Sequence, residues 1–384
     1  MEKKSQYKVL HLTTIPMSLY FLENQLKFLK QNDFEVHVLS SPGILLDNFC
    51  ISEEVVKHEV EIQRNISILK DLIALLKITR IILKYKFDII HTHTPKASLL
   101  GIIAGKIAGV KIRIYHLHGL PFVTNEGIKK KILYYAEKLT CMLATKVYAV
   151  SPSLRKYVIE KNIVSERKIK VIRNGSINGL DSIEKFNPQK YDVNEVKREL
   201  NISKEDFLMG YIGRITKDKG IVELITAWEK INILNPKVKL LLVGPIEKNN
   251  QLPKEIIHEI LHNKDIIFTG FVKLTAPYYM VMDVCVFPTY REGFGMTAIE
   301  AMAMEVPVIA SEVIGCVDTV NDEKNGFLIP AKSPESIIEK VNYYLENRKL
   351  INKHGRYGRN FVKVHYEQYP IWKELVRDYT SYLK

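Results

Sequence analysis

"FLMGYIGRITKDKGIVELITAWEKINILNPKVKLLLVG", residues 207–244, decides the fold. It opens on an apolar run, 207–213, that closes with Gly213 and is too short for an ordinary helix. Apolar residues then recur at helical spacing over 220–234, and a second apolar run, 238–244, ends on Gly244. Two strands joined by a helix need a crossover, so they lie parallel, with both sheet faces covered. The same alternation runs upstream. KVLHLTT (8–14), FEVHVLS (34–40), DIIHTHT (88–94), IRIYHLHG (112–119), KVYAVS (146–151) and IKVIRNG (169–175) read as strands. Residues 18–33, 66–86, 96–109, 127–145 and 153–161 between them read as helices. Downstream, DIIFTGF (265–271), VCVFPT (284–289), VPVIAS (306–311) and GFLIP (326–330) continue the strands, with helices over 253–262, 297–304 and 334–348.

The pattern breaks once, at NGSINGLDSIEKFNPQKYD (174–192), which lacks periodicity, is rich in Asn, Gly, Ser and Pro, and reads as a linker. The predicted class is therefore α/β, with two doubly wound Rossmann-like domains, residues 1–180 and 190–364. The final stretch, HYEQYPIWKELVRDYTSYLK (365–384), reads as a helix with an aromatic stripe. Parallel sheets bind ligands beyond the carboxyl ends of their strands, so a cleft between two such sheets is the expected site.

A chain of 384 residues, 46% apolar and 26% charged, can build two cores. No stretch approaches the ~18 uninterrupted apolar residues of a membrane span. The start, MEKKSQYKVLHLTT, reads as a short polar lead into a strand and lacks the apolar core of a secretion signal. Cys50, Cys141, Cys285 and Cys316 are far apart in apolar surroundings and read as buried reduced thiols of a cytosolic protein. The net charge of +13 is lopsided: residues 1–180 hold 28 Lys and Arg against 15 Asp and Glu, whereas 181–384 hold 28 of each. The first half therefore calls for an anionic partner. Segments 64–86 and 127–138 interleave apolar residues with Lys and Arg, as basic helices lying on anionic lipid do. Zinc-finger and RNP motifs are absent from the sequence, which argues against a nucleic-acid partner.

The chemistry concentrates at REGFGMTAIEAMA (291–303), where Glu292 and Glu300 flank a Gly-Phe-Gly turn after the strand VCVFPT. Glycines let backbone N–H groups approach a ligand, and a following helix N-terminus favours negative groups. Arg214 and Lys219 lie in the loop after Gly213 and can neutralise a departing diphosphate. In the first half His118 ends a strand, with His116 two residues back on the same face. His91 and His93 form a similar pair, without a third or fourth ligand at metal-binding spacing in the sequence.

EGFGMTAIE (292–300), followed by AMA and PVIAS, resembles the Glu-x7-Glu element of retaining GT-B glycosyltransferases, in particular the large family four. GRITKDKG (213–220) resembles that family's strand-loop-helix with its Arg and Lys. HLTTIPMSLYFL, SSPG (40–43), DIIHTHTPKASLLG (88–101), LHGLPF (117–122) and VIRNGSINGLD (171–181) resemble a subgroup that builds bacterial capsule, exopolysaccharide and lipid-linked glycans. The resemblance implies two facing domains with the last helix crossing back onto the first. It implies that Glu300 holds the nucleotide ribose and Glu292 the donor sugar, while backbone amides around Phe294, Gly295 and Met296 meet sugar and diphosphate. Gly213 and Val272 border the donor, Val272 through its backbone to the base. His118 borders donor sugar and acceptor, with His116 as a rival, and His93 lines the acceptor side.

The implied reaction moves a sugar with retention, by front-side attack, from a nucleotide-sugar, UDP-linked, to a polyprenyl-diphosphate-linked saccharide. The implied sugar is an N-acetylhexosamine. No cofactor and no metal enter, and the place is the inner face of the plasma membrane. A UDP-sugar epimerase of the same architecture is the competing enzyme. Two departures from the family pattern stand out. Residues Thr13–Ser18 replace the common Gly-Gly loop after the first strand. Glu305 stands where the family carries Gly, a position suited to a left-handed helix cap.

Overall fold

A computed structural model describes residues 7–247 and 251–384; the expected polar lead over 1–6 lies outside the described residues. The chain forms two compact units, one running to Gly179 and resumed by Gln368–Lys384, the other Leu180–Glu367.

The first unit holds β1 (Tyr7–Leu12), β2 (Phe34–Ser40), β3 (Val56–Glu59), β4 (Ile89–Thr92), β5 (Ile112–Leu117), β6 (Lys146–Ala149) and β7 (Ile169–Val171). They form one parallel sheet in the order β3-β2-β1-β4-β5-β6-β7. The order reverses between β1 and β4, the place where such sheets open a crevice. The core of one face is Leu10, Leu12, Ile90 and Leu100 packed on Ala74, Ile78 and Ile82 of helix Ile68–Tyr85. The helix Gln368–Leu383 packs on this unit: Trp372 Nε1 donates to Asn178 Oδ1 (2.6 Å) and Phe28 packs on the Trp372 ring.

The second unit holds β8 (Phe207–Ile212), β9 (Val238–Val243), β10 (Ile266–Gly270), β11 (Val284–Phe287), β12 (Val308–Ser311) and β13 (Gly326–Ile329). Their order is β10-β9-β8-β11-β12-β13, again parallel, and the reversal falls between β8 and β11. The quoted stretch 207–244 is thus β8, helix Ile221–Leu234 and β9.

Three local readings change. The helix expected over 18–33 is a 3-10 turn, Pro16–Leu22, and a short α-helix, Gln25–Gln31. Asn24 between them is left-handed, and the Glu53 carboxylate accepts from the N–H groups of Asn24 (2.7 Å) and Lys27 (3.1 Å). Helix Ile44–Glu53 and strand β3 were not legible; β3 is an edge strand with only His58 buried, so it shows no alternation. Residues 174–192 are not a loose tether. Ile177, Leu180 and Phe186 are buried, and Leu180 N–H donates to Tyr366 O at 2.7 Å. All four cysteines are free and buried. Among the described residues no helix is long and apolar enough to cross a membrane.

Candidate functional site

The loop after β8 is held tightly. Gly220 sits at φ 72°, and a Cβ there would lie 2.0 Å from the Pro288 carbonyl oxygen, so only glycine lets this loop close on the end of β11. The loop thereby delivers Lys219 to Glu292, and the two form an ion pair largely shielded from solvent. Arg214 is about half exposed and donates through Nη1 to Glu247 Oε2 at 3.2 Å. Asp218 in the same loop accepts from the Thr216 hydroxyl at 2.6 Å. Lys219 and Glu292 therefore meet at the carboxyl ends of β8 and β11, beside the reversal point of the second sheet, while Arg214 of the same loop reaches Glu247 past β9.

Glu300 stands on helix Met296–Ala303, in its second turn rather than its first. The helix starts at Gly295, left-handed at φ 83°. The Tyr279 hydroxyl donates to Glu300 Oε2 at 2.9 Å, and Tyr279 is itself fully buried. Burial pushes the Glu300 carboxyl up to about 7, against a smaller pull downward from that hydrogen bond and from Lys185. Tyr279 is a site residue that the sequence reading missed; nothing local links it to an acid 21 positions on. Phe294 is buried against Tyr366, ring centroids 5.2 Å apart, so its side chain anchors the turn, and its backbone packs closely on Gly315. Met296 opens the helix, half-buried. Val272 follows β10, two strands from the reversal point, and lines a separate cavity of about 550 Å³ with Tyr191, Val196 and Tyr278.

In the first unit the expected histidines gather at the reversal point of the sheet. His116 is buried on β5, whereas His118 lies just past that strand and is half-buried. Burial lowers the His118 imidazole to about 4. His93 lies just past β4, buried. The fold adds two neighbours to these. His11 of β1 places Nδ1 2.9 Å from His93 Nε2, and the His116 ring stacks on His91 with centroids 5.2 Å apart. The loop Thr13–Ser18 is tied by side chains: the Thr14 N–H and hydroxyl bond Thr94 Oγ1 at 2.8 and 2.7 Å, and Thr13 Oγ1 donates to Ile15 O at 3.1 Å. Threonine side chains do here what a flexible Gly-Gly turn leaves open.

Two family descriptions cover most of the chain: "Glycosyltransferase Family 4" matches residues 20–176 and "Glycosyl transferases group 1" residues 192–361. The capsular polysaccharide biosynthesis glycosyltransferase CapM of Staphylococcus aureus is 36% identical over 98% of this chain and 98% of its own length. The chain belongs to the family 4 glycosyltransferases. Another family 4 relative, the Escherichia coli UDP-Gal:alpha-D-GlcNAc-diphosphoundecaprenol alpha-1,3-galactosyltransferase, is 25% identical over 93% of this chain and 92% of its own. The fold agrees with a solved structure, HepE of Anabaena in complex with UDP and glucose, at a TM-score of 0.81 and 20% identity over 98% of this chain and all of that one. The resemblance read from EGFGMTAIE and GRITKDKG, and the two-domain GT-B fold with its returning helix, hold as read.

Proposed function

We propose that this glycosyltransferase moves a sugar, with retention, from a UDP-sugar to a polyprenyl-diphosphate-linked saccharide in surface-polysaccharide biosynthesis. The observation that carries the donor half is the pairing of Lys219 with Glu292 at the ends of β8 and β11, with Arg214 in the same loop and Glu300 on the next helix. The ribose hydroxyls bond Glu300, whose second partner, Tyr279, fixes the carboxylate. The diphosphate draws Arg214 and Lys219, and Lys219 exchanges Glu292 for phosphate. Glu292, so released, accepts from the sugar hydroxyls. As the anomeric bond breaks, charge grows on the leaving phosphate, where two fixed cations stabilise it. The leaving phosphate oxygen takes the acceptor hydroxyl's proton, so the residues present suffice without a general base or a metal at the diphosphate. His118, past β5 and partly open, borders the sugar being transferred; His116 lies too deep.

The acceptor half rests on the first unit. A cavity of about 440 Å³ is lined by Ile15, Ile66, Leu99, Pro121 and Ile132, with Arg64 and Lys96 at the same site. Asp71, paired with Lys96 at 2.6 Å, and Glu137 line it too, so Arg64 and a Lys96 drawn off Asp71 are the groups that would meet the diphosphate of an isoprenoid lying on the apolar walls. CapM and the Escherichia coli relative, named for capsule and for a diphosphoundecaprenol acceptor, support this class.

The test is thermal unfolding with and without UDP, in EDTA, for wild type and Glu300→Ala. At UDP ~100 times its dissociation constant, wild type should gain about 2.7 kcal/mol and the variant almost nothing. A shift with GDP or ADP instead would replace the nucleotide; no shift with any nucleotide would sink the donor assignment. Product made from donor alone, without acceptor, would favour the epimerase.

A further inference from the structure

We propose that His11, His91 and His93 bind one divalent transition-metal ion of the zinc class at the reversal point of the first sheet. The backbone brings the three rings together. In the parallel ladder His11 of β1 stands opposite His91 of β4, and His93 N–H donates to Leu12 O at 3.0 Å, which carries the pairing one step further. His91 and His93 are two apart, so the strand's period of two turns both to the face that His11 occupies. The ring centroids are 5.2 Å (His11 to His91), 5.2 Å (His11 to His93) and 4.3 Å (His91 to His93) apart. One nitrogen from each ring lies within 4.8 Å of the other two.

Hydrogen bonding leaves this cluster unfinished. His11 Nε2, His91 Nε2 and His93 Nδ1 are all buried without a protein partner. Buried polar atoms are rarely left so, and the one on His91, beside the other two rings, points to a ligand. His91 shows the arrangement expected of a metal ligand: its Nδ1 bonds the Tyr379 hydroxyl at 2.5 Å, and its Nε2 is the atom left over. The His11 Nδ1 and His93 Nε2 atoms, 2.9 Å apart, share one hydrogen bond, which an ion held at about 2.0–2.1 Å would replace, the two rings turning to aim at it. The cluster offers nitrogen only, which selects zinc, cobalt, nickel or copper over magnesium or calcium. His116 stacks on His91 and walls the site on that side. Tyr379 belongs to the helix Gln368–Leu383, so the ion would tie that helix to β1 and β4. This site is independent of the transfer chemistry assigned above to Lys219 and Arg214.

The test uses the full chain, stripped with EDTA, dialysed, and titrated with Co²⁺ as the probe. One Co²⁺ per chain, an intense visible band of four-coordinate cobalt, and its displacement by Zn²⁺ with a rise in melting temperature are expected. His11→Gln and His91→Ala should lose the band. An exposed histidine pair one turn apart, His258 and His262 on helix Lys254–His262 with rings 4.3 Å apart, is the rival binder, and the variant His258→Ala/His262→Ala should keep the band. Loss of the band in that variant, equal binding in every variant, or no stoichiometric binding by wild type overturns the proposal. Should His11→Gln and His91→Ala fail to fold by circular dichroism, the wild-type spectrum decides. Weak bands of six-coordinate, solvated cobalt overturn the site, and a four-coordinate band that survives in His258→Ala/His262→Ala upholds it.

Discussion

Glu300 is the residue where burial and binding pull in opposite directions. Its carboxyl titrates near 7 in the folded chain, above the ordinary 4.5, because the apolar surroundings disfavour its charge. The folded state therefore holds a proton that the unfolded state has released between those two values. Stability from this group is complete below about 4.5 and is lost as pH rises through 7. Glu300→Gln should raise the unfolding free energy at pH 8 by an amount on the order of 1–2 kcal/mol, with a higher melting temperature, and the gain should vanish near pH 4.5. Glu137, bonded to the Tyr115 hydroxyl at 2.6 Å and also near 7, adds a parallel slope that remains in the variant. A pH series of melting temperatures for both proteins checks this; a gain of equal size at all pH values would show that charge burial at Glu300 is not its cause. At this scale the acids and cations were readable, since EGFGMTAIE and GRITKDKG keep them close in sequence. Tyr279 and His11 were not, because each meets its partner only through the fold, across 21 and 82 positions.

Among the elements, helix Met296–Ala303 is the one whose end contradicts its residue. Glu305 closes its C-terminal turn at φ 63°, the left-handed conformation that favours glycine. The Gly355 backbone presses on this turn, and a Cβ at Gly355 would fall 1.9 Å from the Glu305 carbonyl oxygen, so the turn cannot relax. Glu305→Gly should therefore stabilise by about 0.5–1 kcal/mol, less a small loss from the Arg359 pair at 3.7 Å. Urea unfolding measures it, and a clear destabilisation would mean that the Arg359 contact outweighs the backbone. The helix and its cap were legible because residues 284–304 carry strand, turn and helix signals in order. Helix Ile44–Glu53 was not: its exposed positions include Ile44, Leu45 and Ile51, so apolar residues mark no single face.

For the molecule as a whole, charge and exposed apolar surface coincide in the first unit. Helix Ile68–Tyr85 buries Ala74, Ile78 and Ile82, yet leaves Ile68 81% and Leu69 76% exposed, with Leu72, Ile73 and Leu76 beside them. Helix Gly127–Leu143 likewise exposes Ile128, Ile132, Tyr135 and Met142 next to Lys129–Lys131. Core packing thus explains only one face of each helix, and the excess of Lys and Arg over residues 1–180 stands on the same unit. The lipid-linked acceptor proposed above would give that surface a purpose, since it would bring the substrate's diphosphate to a membrane face. Under this reading the protein should sediment with vesicles rich in anionic lipid at low salt. Changing Lys129, Lys130 and Lys131 to Glu should weaken binding by roughly 100-fold, from about 1 kcal/mol per cation near the surface. Raising salt should weaken wild type towards the variant, since the screening length shrinks to about 3 Å at 1 M. Replacing Leu69, Leu72 and Leu76 by Gln should lower binding at every salt concentration and spare folding, because these side chains already face solvent. Binding that ignores both sets of changes, or that is equal on neutral vesicles, would assign this surface to a protein partner instead.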